Sequence, residues 1–181
     1  MLKNKKTNIG KFLYFDWLIP IVDYFRIVKF NEVIFDIVVP AIIAIIVTLI
    51  YYPTALIQNA IISLNEILPN VLAILIGFSI SAIAIIISSD KKKYEKSVKE
   101  KFIGSDPLTI YRYLLIIMIF TLLQEIIALL LVFFVCFFRA VWGNIITDCI
   151  FLGLYIFLIL NIFAVLTRSI VYLYASNYRN N

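Results

Sequence analysis

The sequence predicts an all-α integral membrane protein: four transmembrane helices, an N-terminal amphipathic interfacial helix and a short outer amphipathic helix. Three observations predict it. Of 181 residues, 64% are hydrophobic and the mean hydropathy is +1.03, far above the ~45–50% apolar content of soluble domains. Four apolar runs each approach the ~20 helical residues that a hydrocarbon core about 30 Å thick requires. The sixteen Lys and Arg residues are distributed unevenly around those runs.

The N-terminal segment, 1–32, opens with the basic "MLKNKKTNIGK". The following "FLYFDWLIPIVDYFRIVKF" is interrupted by Asp16, Asp23 and Arg26 and lacks a small-x-small cleavage site, so it is not expected to be a cleaved signal. Its polar residues fall near one side of a helix, leaving a broad apolar and aromatic face, so it is expected to lie in the membrane interface or pack beneath a bundle rather than cross it. Pro20 is expected to kink it.

The transmembrane domain, 33–166, contains spans 34–52, 71–88, 113–138 and 145–166. Tyr51, Tyr52, Tyr111, Tyr113, Trp142, Tyr172 and Tyr174 stand near their ends, as aromatic belts do. Between the first two spans, "TALIQNAIISLNEILPN" repeats apolar residues at helical spacing and predicts an amphipathic outer helix ending at Pro69. A re-entrant pore helix is the alternative, but the segment is short for a descent and return. The basic loop 89–112 is expected to extend the second span as helix to about Phe102. "IGSDP" then ends that helix, with Ser105 or Asp106 capping the next. A tail, 167–181, follows.

Charge sets the expected orientation. The N-terminal segment, the 89–112 loop and the tail hold fifteen of the Lys and Arg residues, against Arg139 alone on the other side. The positive-inside rule therefore places both termini and the basic loop in the cytoplasm of a multi-pass protein of the cytoplasmic (inner) membrane. Lys91, Lys92, Lys93, Lys96, Lys99 and Lys101 make that loop a candidate regulatory surface. It would touch anionic lipid, or dock a cytoplasmic protein partner or an anionic nucleotide or oligonucleotide.

Helices in lipid associate where small residues allow close backbone approach. Ala73, Gly77 and Ser81 recur at four-residue steps in the second span; Asp36, Pro40, Ala44 and Thr48 do so in the first. Pro40 has no N–H, so the Asp36 carbonyl needs a partner from a neighbouring helix or water.

The third span carries Gln124 and Glu125 at its centre, with Glu125 twelve residues from Tyr113 and thirteen from Phe138. A charge at that depth costs about 2.5–3.5 kcal/mol on insertion scales. Asp36 and Asp148 lie about a turn from opposite membrane faces. No Lys or Arg falls inside the four span boundaries, so no intramembrane salt bridge is expected within one chain. Two readings of Glu125 follow. It is neutral and bonded across helices to Ser79, Ser81 or the Tyr155 hydroxyl, or it lines an aqueous path that favours cations or protons. Asn161 and Thr48 are further candidate lining residues.

Histidine is absent, and neither a Gly-rich phosphate loop nor a GxSxG elbow occurs. Cys136 and Cys149 lie within apolar runs, away from disulfide or zinc spacings. No catalytic residue, metal or cofactor is expected, and the chain reads as a non-enzyme.

The runs "LAILIGFSISAIAIIISSDKKKYEK" and "LTIYRYLLIIMIFTLLQEIIALLL", within residues 70–130, resemble small four-span subunits of bacterial antiviral defence systems, first Hailong and second Kiwa. The resemblance implies a homo-oligomeric membrane effector, a tetramer foremost, whose pore is silent at rest and opened by a cytoplasmic signal or partner. A four-span subunit encloses little, which favours a path on a symmetry axis between subunits. A non-conducting anchor that recruits a soluble partner through the basic loop is the competing class. A small transporter comes third, since no internal repeat is found.

Overall fold

The computed structural model describes residues 18–52, 56–89, 97–103 and 106–178. Among the described residues, four helical runs are long and apolar enough to cross a membrane: Phe30–Tyr51, Leu56–Ser88, Ile110–Trp142 and Ile145–Tyr174. The chain is an all-α, multi-pass membrane protein.

Helix α1 (Ile19–Ile27) precedes the first span. Pro20 occupies its first turn, where a missing N–H breaks no helical bond, so the expected kink is absent. The first span comprises α2 (Phe30–Val33), a π-helical turn (Ile34–Val38) and α3 (Val39–Tyr51). Pro40 explains the π turn. An α-helical continuation would drive the proline ring into the Asp36 carbonyl and leave that carbonyl unbonded. The wider turn, closed by Val39 N–H donating to the Ile34 carbonyl, relieves the crowding.

Helix α4 (Leu56–Ser88) corrects the expectation of a separate outer helix, because it continues through Pro69. Its buried stripe, Ile57, Ile61, Leu68, Leu72, Ser79 and Ile86, advances in steps of four and seven across the proline. Packing on one continuous face outweighs the single backbone bond that Pro69 removes. The second correction concerns the basic loop. Instead of a helix running to Phe102, strand β1 (Ser97–Ile103) pairs antiparallel with β2 (Asp106–Thr109), with Ile103 opposite Asp106. Val98, Phe102 and Ile103 are β-branched or aromatic and favour strand locally. The sequence that joins the two strands, Gly104 and Ser105, is of turn-forming type.

Helix α5 (Ile110–Trp142) starts from Thr109, whose Oγ1 accepts the Arg112 backbone N–H at 3.4 Å, so Thr109 is the cap expected of Ser105 or Asp106. Its buried residues Leu114, Met118, Thr121, Glu125, Ala128, Val132 and Val135 form one seam at steps of three and four. Glu125 therefore falls on the packed face. Gly143 ends α5 where an added Cβ would stand 2.8 Å from the Arg139 carbonyl oxygen, so only glycine fits. Asn144 then accepts from Thr147 N–H at 2.9 Å and opens α6 (Ile145–Tyr178). Helices α5 and α6 overrun the expected span limits, and much of the expected tail is helix.

Helix α6 is central: α3, α4 and α5 all pack on it. Helix α3 rests chiefly on α6, with Ala44 buried and Thr48 against Gly153, where an added Cβ would meet Thr48 Oγ1 at 3.2 Å. Helix α1 lies against α5 and β1, stacking Tyr24 on Phe120 with centroids 3.6 Å apart and rings 8° from parallel. Both α1 and the hairpin lie at one end of the bundle, here the hairpin end.

Candidate functional site

The polar residues of the spans gather into three groups. The largest lies at the hairpin end. Arg168, two residues beyond the expected fourth span, is 8% exposed. Its Nη1 lies 2.9 Å from Glu32 Oε2 and its Nη2 lies 2.9 Å from Asp36 Oδ2. Nη2 also donates to the Tyr24 hydroxyl at 3.2 Å. That hydroxyl in turn donates to Asp36 Oδ2 at 2.6 Å, and the Tyr172 hydroxyl donates to Glu32 Oε1 at 2.9 Å. One guanidinium thus faces two carboxylates, with two phenols supplying further donors to the excess negative charge. Burial, and then the Asp36 carboxylate, push the Tyr24 hydroxyl well above its ordinary pKa, which keeps it a donor.

The cluster continues inward through Asp36. Its carbonyl accepts from Asn161 Nδ2, and Asn161 Oδ1 accepts from Gln124 Nε2. A helical neighbour therefore satisfies the carbonyl that Pro40 leaves open. The network joins α1, the first span, α6 and α5, from the hairpin end to the centre of the third span.

Glu125 stands apart from this chain, one residue round the helix. It is fully buried, and its Oε1 accepts the Ser79 hydroxyl at 2.9 Å. Oε2 is buried with no hydrogen-bond partner among the described residues. Ser81 instead donates to the Gly77 carbonyl, and the Tyr155 hydroxyl donates to Asn65 Oδ1 at 2.6 Å. The third group is at the far end, where Arg139 Nε lies 2.8 Å from Asp148 Oδ1 and Nη2 donates to Oδ2 at 3.3 Å.

The expectation of unpaired intramembrane acids is thereby corrected. Arg168 and Arg139 lie just outside the expected span limits, yet α6 and α5 carry them into contact with Asp36 and Asp148. Sequence reasoning missed both arginines, along with Tyr24, Glu32, Tyr172 and Gly153. Spacing contained part of the signal: Asn161, Arg168 and Tyr172 recur seven and four residues apart, on one helical face.

Of the residues expected to pack helices, Pro40 and Ala44 are buried, whereas Ala73, Gly77 and Ser81 face outward. Nothing lies within 4 Å of a Cβ built on Gly77. The face of α4 that packs within the chain is the Leu68, Leu72, Ser79 and Ile86 stripe. Thr48 is half-buried, its hydroxyl donating to the Ala44 carbonyl at 2.7 Å. Lys91, Lys92, Lys93 and Lys96 lie outside the described residues, and Lys99 and Lys101 belong to β1. Among the described residues no group of His, Cys, Asp and Glu has metal-binding geometry.

No protein-family model, curated protein or solved structure matches this chain.

Proposed function

We propose that the chain is a non-enzymatic, homo-oligomeric membrane effector of the kind its resemblance to antiviral defence subunits suggests. It forms a pore that is closed at rest and opened by a cytoplasmic signal or partner. One observation carries this reading: the span acids Asp36, Glu125 and Asp148 each have a partner inside the protomer, while the small-residue stripe of α4 is left facing outward. Asp36 and Asp148 are ion-paired and Glu125 is bonded to Ser79, which argues against an aqueous route through the single chain. Ala73, Gly77 and Ser81 offer a second copy the close backbone approach that helices in lipid use. A conducting path then belongs between subunits.

Both termini and the hairpin face the cytoplasm in this reading, on the fifteen-to-one distribution of Lys and Arg. The Arg168 cluster supplies a latch on that side. It holds α1 against the bundle through Tyr24, so a ligand or protein that draws α1 away takes the Tyr24 hydroxyl from both Arg168 and Asp36. The proposed test is induced expression with a membrane-potential dye, comparing the wild type with Gly77→Leu, together with mass photometry of each protein in mild detergent. Wild-type oligomers that depolarise cells, and a monomeric, inactive Gly77→Leu protein, are expected. A monodisperse wild-type monomer, or no depolarisation under any signal, overturns the pore. Co-purification of a soluble partner without depolarisation would instead favour the anchor reading, for which the hairpin packed on α1 is the natural platform.

A further inference from the structure

Helix α4 joins two faces that the sequence presents separately. Because it continues through Pro69, the outward stripe Ala73, Gly77 and Ser81 runs on at both ends. Toward the hairpin end it continues as Ala84 and Ser88. Away from that end it becomes polar, as Asn70, Glu66, Ser63 and Asn59. These positions recur every three or four residues, and all are exposed. On a helical projection they fall within an arc about 80° wide. No apolar side chain larger than alanine enters that arc, and the exposed Ile62 and Ile74 flank it on either side. From Asn59 to Ser88 the stripe is about 44 Å long at the rise of an α-helix, enough to cross a hydrocarbon core of ~30 Å.

The other helices differ at the height of Glu66. Its neighbour Asn65 accepts from the Tyr155 hydroxyl at 2.6 Å. Close by, Gly153 lies against Thr48, and the Phe138 ring meets that of Phe151. Beside these contacts the outward side chains are Leu49 of α3, Leu154 of α6 and Phe137 of α5. Hydrocarbon suits those three faces and not the fourth. A carboxylate and carboxamides turned to lipid are costly, whereas water satisfies them.

We infer that the stripe is the wall of a water-filled path between copies of the chain, and that the path passes cations. Each protomer turns its α4 toward the symmetry axis, so the wall is incomplete without the others. Glu66 is the only charge on the stripe and repeats around that axis as a ring of carboxylates, which favours cations. Close approach at Ala73, Gly77 and Ser81 shuts the path at rest, leaving the polar section as a vestibule open to the far side. This assignment rests on the oligomeric pore proposed above.

The test labels single cysteines in intact cells that express the full chain with Cys136 and Cys149 replaced by Ser. The probe is a cationic, membrane-impermeant methanethiosulfonate, and a membrane-potential dye is read before and after it. Asn70→Cys should react, and its reaction should reduce the depolarisation. Ile67→Cys, a turn nearer the far surface but off the stripe, and Ile74→Cys, a turn deeper, should not react. Replacing the small external cations with N-methylglucamine should suppress depolarisation by the wild type but not by Glu66→Lys. Isoleucine positions that react as Asn70→Cys does, or an Asn70→Cys that stays unlabelled or reacts without effect on the potential, overturn the wall. So does depolarisation equally sensitive to N-methylglucamine in wild type and Glu66→Lys. Cells that still depolarise under those results keep a path with another wall, whereas cells that never depolarise lose the pore itself.

Discussion

Arg168 shows how a single side chain can organise a membrane protein from just beyond the region that hydropathy marks out. Removing it leaves the buried Asp36 and the half-buried Glu32 without their cation, and breaking a buried pair in this way costs about 3–5 kcal/mol. Arg168→Met should therefore unfold at markedly lower temperature in detergent, while Arg168→Met with Asp36→Asn should recover part of the loss. If the double variant melts no higher than the single one, the ion pair is not the source of the effect. Glu125 is the opposite case. Glu125→Gln keeps the shape and the Ser79 bond, and its amide nitrogen replaces an oxygen with no partner among the described residues. Flux and melting temperature should both stay at wild-type values. Glu125→Leu loses the interhelical bond and should weaken the fold by about 0.6 kcal/mol, rising to ~2 kcal/mol at most. Reduced flux or changed ion selectivity in Glu125→Gln, measured in liposomes, would return the acid to a conducting path. Glu125 is legible in the sequence as a dilemma between Ser79 and water. The packed seam sets it against Ser79, which the sequence could not specify, because period alone does not say which face of a uniformly apolar helix is buried.

At the scale of elements, the two long departures from expectation have the same origin. Pro69 reads as a helix end because proline removes an N–H, and the loop after Ser88 reads as helix because its lysines suit helices. In each case one local signal is outweighed: α4 keeps one buried stripe through Pro69, and in β1 the strand-favouring Val98, Phe102 and Ile103, paired with β2, prevail over the lysines between them. Pro40 does pose the demand for an outside donor that its sequence position implies, since that demand follows from covalent structure. What the sequence could not supply was the donor itself, Asn161, more than a hundred residues away. This gives a double-mutant test. Asn161→Ala strips the donor from the Asp36 carbonyl, whereas Pro40→Ala restores a backbone N–H able to bond it. The combined variant should be about 1 kcal/mol more stable than the two separate losses predict. Strict additivity in thermal or denaturant unfolding would mean that the π turn does not depend on this bond.

For the whole molecule, the four spans, their alternation and the charge bias were all legible, because lipid leaves few ways to satisfy a backbone and none of them depends on fine packing. The arrangement around α6 was not, since four apolar helices of similar texture permit several packings and only details such as Gly153 against Thr48 choose among them. Orientation is the whole-molecule property most directly open to measurement. With the hairpin end cytoplasmic, Gln58 near the start of α4 lies on the outer side, and Lys96 lies in the basic loop. In a background with Cys136 and Cys149 replaced by Ser, Gln58→Cys should react with a membrane-impermeant maleimide in intact cells. Lys96→Cys should react only after permeabilisation. The reverse pattern would invert the molecule and place the Arg168 cluster on the outer face, where no cytoplasmic signal could reach it. Labelling of both positions in intact cells would mean that the chain inserts with both orientations, and that the basic residues do not fix its topology.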